Sequence, residues 1–88
     1  MTIAGKITKE PDGYFIQGQT PPEVFRILNP APSRLNKIVK KGNSVQIDTT
    51  VVQGSNVNIK SIDGKPYKGK LWGSPPFGYH KEVIATVP

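Results

Sequence analysis

Residues 33–52 read SRLNKIVKKGNSVQIDTTVV, and the fold is decided inside them. The first half has a helical period. Leu35, Ile38 and Val39 stand at i, i+3 and i+4, which puts them on one face. Ser33 suits an N-cap, Lys40 and Lys41 complement the dipole in a last turn, and Gly42 suits the left-handed residue that ends a helix. The expected helix runs over 33–41. It is about two turns long, too short to persist without packing on something else. At Ser44 the period changes to two. Val45, Ile47, Thr49 and Val51 alternate with Gln46, Asp48 and Thr50, so a strand is expected over 44–52. Val52 breaks the phase, as a residue at a bulge does.

Upstream, Thr2–Lys9 alternates weakly, with Ile3, Gly5 and Ile7 on one side, and reads as a first strand. Pro11-Asp12-Gly13 is turn chemistry. Tyr14–Gly18 is rich in aromatic and β-branched residues and returns as a hairpin partner. Thr20-Pro21-Pro22 interrupts it, and Glu23–Leu28 reads as a third strand. Asn29-Pro30-Ala31-Pro32 ends that strand, because proline cannot donate to a ladder. Downstream, Gln53-Gly54-Ser55-Asn56 turns the chain into a fifth strand, Val57–Ile62, which Asp63-Gly64 turns again.

Composition shifts after Ile62. Residues 63–80 read DGKPYKGKLWGSPPFGYH and hold neither period. The chain therefore divides into a β domain over 1–62 and a basic, aromatic, Gly/Pro-rich extension over 63–88. A last strand at 81–87 is expected to dock back on the sheet.

The order of two hairpin-linked strands, a third strand, a short helix and two more strands resembles the oligonucleotide/oligosaccharide-binding (OB) fold. The phrasing is similar too. Gly5-Lys6-Ile7 opens the first strand, and Lys41-Gly42-Asn43-Ser44-Val45-Gln46-Ile47 resembles the Lys-Gly-Asp-x-Val-x-Val that often opens the fourth. Val51-Val52 and Val57-Asn58-Ile59 follow as a closing hairpin. The resemblance covers residues 2–62. It departs at the Pro-Ala-Pro before the helix and at the extension, which has no fixed counterpart. It implies a mainly β fold: a small five-stranded barrel with one short helix between strands three and four. It also implies that the outer face of strands two and three is the ligand platform. Tyr14, Phe15, Phe25 and Arg26 lie on those strands, and only one side of each strand faces out.

Charge narrows the partners. The 88 residues carry 12 Lys and Arg against 6 Asp and Glu, a net +6. Such an excess favours nucleic acid, anionic lipid or an acidic protein. Gly and Pro contribute 9 residues each, and the hydrophobic fraction is only 35%, so part of the length is loop. The absence of cysteine removes disulfides, thiolate zinc sites and a cysteine nucleophile. No apolar run has the length of a signal core or a membrane span, which makes the cytoplasm the expected location.

Enzyme chemistry finds little support. His80 is the single histidine, and the acids at 10, 12, 23, 48, 63 and 82 are scattered one by one. No paired carboxylates, Ser-His pair or phosphate loop is visible. Neither an enzyme nor a cofactor is expected.

Binding finds more. Lys65, Lys68, Lys70 and Lys81 interleave with Tyr67, Trp72, Phe77 and Tyr79, the mixture with which single-strand binders hold phosphates and stack bases. The same rings would equally plug the open end of a small barrel. Arg34, Lys37 and Lys41 share a helical face, with Lys40 beside them, as either a solvated face or a phosphate contact. The leading expectation is non-enzymatic binding of single-stranded DNA or RNA by electrostatics and stacking. Its residues would be Tyr14, Phe15, Arg26, Lys65, Tyr67, Lys68, Lys70, Trp72 and Tyr79. The alternative is a structural or protein-interaction module that docks a partner through Ser74-Pro75-Pro76-Phe77 or through a strand edge. A membrane role is disfavoured, because the basic helix is too short for an interfacial anchor.

Overall fold

The first strand, β1 (Thr2–Glu10), builds two ladders at once in the computed structural model, which describes residues 1–69. Its residues 4–10 pair antiparallel with β2 (Gly13–Thr20), and its residues 2–5 pair antiparallel with β4 (Val45–Gln53). The register with β2 shifts between Ala4 and Gly5, where the strand bends from one neighbour to the other. Glycine is required at that bend, because a Cβ on Gly5 would lie 2.3 Å from the Gln17 carbonyl oxygen.

The sheet closes through its shortest full strand. β3 (Val24–Ile27) pairs antiparallel with β2 and parallel with β5 (Asn56–Ile62), through Arg26 with Asn56 and Ile27 with Val57. β4 and β5 form the remaining hairpin. The result is a closed five-stranded barrel with a helix between β3 and β4, the OB-like architecture that the order of elements implied. Two irregularities tighten the last hairpin. Val52 is skipped in β4, at the position where the alternation failed, and Lys60 is skipped in β5. Where β3 ends, the Asn29 side chain takes over the backbone's role. Its amide donates to the Ile59 carbonyl at 3.0 Å and accepts from the Ile59 amide at 2.8 Å.

The helix, α1 (Pro32–Lys41), begins one residue earlier than its pattern suggested. Ser33 lies inside it and is not its cap. Ala31 occupies that position without a side-chain bond, and its carbonyl accepts from Arg34 and Leu35. Pro32 explains the shift, since proline at a first helical position has its φ set and gives up only an amide that would go unpaired. The other end is as expected: Gly42 has φ 70° and donates to the Ile38 carbonyl at 3.1 Å. Leu35 is fully buried against the barrel, with Ile38 and Val39 partly so.

The inward faces are now fixed. Tyr14 and Ile16 of β2 and Phe25 of β3 point into the core; Phe15, Gln17, Val24 and Arg26 point out. From Asp63 to Pro66 the chain stays on the barrel and is regular, where an irregular course was expected over 63–80; residues 70–80 lie outside the described residues. Asp63 and Gly64 have φ 51° and 78°, the left-handed pair of a type I′ hairpin. Asp63 is held by a reciprocal pair with Gln46: its amide donates at 2.7 Å and its carboxylate accepts at 2.8 Å. β6 (Lys65–Pro66) then pairs with Ser61 and Ile62, and Tyr67 enters the core. The strand expected at 81–87 lies outside the described residues.

Candidate nucleic-acid interface

The β2–β3 platform, where the fold implied a ligand, is occupied by the protein's own loops. Arg26 reaches the β1–β2 turn: one Nη donates to the Asp12 carbonyl oxygen and the other to its carboxylate, each at 3.0 Å. The same guanidinium lies 4.8 Å from the centre of the half-buried Phe15 ring and covers it. On the other flank the β4–β5 turn folds onto β3. The Ser55 carbonyl accepts from the Arg26 amide at 2.8 Å, and the Ser55 hydroxyl donates to the Glu23 carboxylate. The platform thus presents a covered ring and two carboxylates, which is poor chemistry for phosphate.

The other rings go inward. Tyr14 is buried, and its hydroxyl donates to Asn36 Oδ1 of α1 at 2.7 Å, tying the barrel wall to the helix. Tyr67 is also buried, and its hydroxyl donates to the Asn29 carbonyl at 2.7 Å. Burial pushes that phenol up to about 12, so it stays a donor throughout the neutral range. Both were candidates for stacking bases. The barrel end needed their apolar bulk, and both rings are core instead. Trp72, Tyr79 and Lys70, together with Phe77, His80 and Lys81, lie outside the described residues.

The cations assemble elsewhere. A groove of about 490 Å³ runs between α1 and the β5–β6 turn. Arg34, Lys37 and Lys41 form one wall, Lys65 stands with Asp63 on the other, and Asn43, Ser44, Val45, Ile38 and Ile62 complete the lining. Helical spacing sets the three α1 cations over about 10 Å, because residues 34, 37 and 41 share a face and the rise is 1.5 Å per residue. Among the described residues four cations face a single carboxylate, and one oxygen of that carboxylate already accepts from Gln46. Among the described residues no ion pair engages Lys37, Lys41 or Lys65. Of the described residues singled out on the strands and the extension, Lys65 alone lines this groove. Arg34 joins it to Tyr67, since its guanidinium lies 5.5 Å from that ring's centre. Lys68 is exposed nearby in sequence.

The groove was half legible. The helical stripe is visible as a period, and Lys65 as one of a run of lysines. Their meeting depends on the type I′ turn that folds β6 back beside α1, and Asp63-Gly64 was the available signal. Among the described residues no three His, Asp or Glu side chains converge as metal ligands would.

Comparison with protein-family models, with curated proteins and with solved structures finds no match.

Proposed function

We propose that this domain binds single-stranded nucleic acid without catalysis, and that it does so mainly through phosphates held in the groove between α1 and β6. The observation that carries the reading is that, among the described residues, four cations line one groove with a single carboxylate, one oxygen of which accepts from Gln46. Clustered charge of one sign raises the local concentration of a polyanion and speeds its encounter. Phosphate contacts carry no sequence information, so the preference among sequences is weak. Stacking on Tyr14 and Tyr67 drops out of the mechanism, because both rings are buried.

Adding a short single-stranded oligonucleotide to isotope-labelled protein tests this directly. Amide shifts are expected to concentrate at 34–45 and 62–66. Shifts centred on Phe15, Val24 and Arg26 would move the site to the platform, and no shifts at low salt would remove nucleic acid from consideration. A role in protein assembly would rest on an exposed strand edge or on Ser74-Pro75-Pro76-Phe77, which lies outside the described residues.

A further inference from the structure

Resting on the proposed phosphate groove, we infer that Arg34 is its orienting anchor, a preset fork for one phosphate, and that Tyr67 is the plinth that aims it. The four cations are not equivalent. Lys37, Lys41 and Lys65 are exposed side chains on flexible stems. Arg34 is half-buried and fixed twice: Nη1 donates to the Pro66 carbonyl at 2.7 Å, and the guanidinium lies against the Tyr67 ring. One donor of five is thereby used. The other N–H groups have no partner among the described residues.

The support beneath this arginine is rigid. Tyr67 is 6% exposed, its amide donates to the Lys60 carbonyl at 3.0 Å, and its hydroxyl is bound to Asn29. Gly69 closes in behind it, since a Cβ there would lie 1.7 Å from the Asn29 carbonyl oxygen. From the helical side Arg34 is positioned by its neighbour Leu35, which is fully buried. A guanidinium held this way loses little side-chain entropy when an anion arrives. Its planar fork also matches two oxygens of one phosphate, which an ammonium cannot do. The lysines supply field, and Arg34 supplies geometry.

Fluorescence anisotropy with a labelled oligothymidylate of about ten nucleotides separates field from geometry. Arg34→Lys conserves charge, so the salt dependence should hold while affinity falls about tenfold, the loss of one charge-assisted hydrogen bond. Tyr67→Phe, which keeps the ring, should bind more tightly than Tyr67→Leu, and circular dichroism confirms that each is folded. Arg34→Lys changes no core residue, so it decides the matter even if Tyr67→Leu fails to fold. Lys6→Gln, on the outer face of β1, should bind as the parent does. A second arm titrates inorganic phosphate and follows the Arg34 side-chain Nε–Hε signal by NMR. If the parent binds oligonucleotide and Arg34→Lys binds equally well, the anchor is wrong and the nucleic-acid reading stands. If no oligonucleotide binds but phosphate moves the Arg34 signal, the anchor stands and its ligand is a smaller phosphate ester. If neither happens, both fall.

Discussion

Replacing Lys37 and Lys41 together by alanine should halve the salt dependence of oligonucleotide binding. Each phosphate neutralised on a single strand contributes about −0.7 to the slope of log K against log salt concentration. Four groove cations, Arg34, Lys37, Lys41 and Lys65, therefore predict a slope of about −2.8. Raising salt from 50 to 200 mM should then weaken binding about fiftyfold. With two cations left, the slope becomes about −1.4 and the same step costs only about sevenfold. Both lysines are exposed on α1 and neither is a core residue, so the fold should survive, which a melting curve verifies. Anisotropy at four or more salt concentrations gives both slopes. Lys6 and Lys9, outside the groove on β1, serve as the matched control pair. A groove site is refuted if removing Lys6 and Lys9 lowers the slope as much as removing Lys37 and Lys41, since binding would then follow total charge and not the groove. It fails too if the parent slope is shallower than about −1, because one phosphate contact would suffice to explain it.

Three further outcomes concern the scaffold that presents the groove. Gly5→Ala drives a Cβ to within 2.3 Å of a backbone oxygen that cannot move aside, and should cost about 3 kcal/mol in chemical denaturation. Leu35→Ala empties the fully buried contact that seats α1 and should cost about 2–5 kcal/mol, with oligonucleotide affinity falling alongside because the cationic wall loses its seat. Asp48 accepts from the Thr2 hydroxyl and then from Ser61, which holds its carboxyl below the ordinary 3.8. A depressed folded-state pKa stabilises above the unfolded value and is lost as pH falls through the folded one. The melting temperature of Asp48→Asn should therefore lie below the parent's at pH 7, and the two should converge as pH drops below 3.8.

Legibility tracked how local each signal was. The two-residue alternation of Val45–Thr49 and the 3.6-residue recurrence of Leu35, Ile38 and Val39 are carried by the chain itself, and both elements stand where those periods put them. So does the bulge at Val52, because a broken phase is written in adjacent residues. The helix start was misplaced by one residue because two local devices competed. Ser33 offers a capping hydroxyl, Pro32 a preset φ, and the proline prevailed. Long-range facts were not written locally. Tyr14 and Tyr67 look alike as exposed or buried rings until barrel closure puts Tyr14 beside Asn36 and Tyr67 beside Asn29. Lys65 reads as one lysine among several in a glycine-spaced stretch. Only the left-handed Asp63-Gly64 turn, which commits the chain to fold back along β5, sets it across from α1.

The choice between platform and groove comes down to what a phosphate would meet on arrival. On the platform, Arg26 is shared between Asp12 and the Phe15 face, and Glu23 stands one strand-end away, bonded to Ser55. An exposed pair such as Arg26–Asp12 is worth only about 0–1 kcal/mol, so breaking it is no great barrier. The displaced carboxylate does not leave, however. It remains tethered by the β1–β2 turn beside the incoming anion, and like charges at short range are not screened away at physiological salt. In the groove, among the described residues, no cation has to give up a carboxylate first. The one acid among its described residues, Asp63, is drawn toward the Gln46 amide by the turn that also positions Lys65. The same short hairpin thus brings a cation to the groove and turns one oxygen of its acid toward the backbone. The loops around β3 do the reverse, bringing carboxylates to the platform's edges. This difference in local charge, more than the barrel's shape, is the ground for proposing the helix side as the anion-binding face.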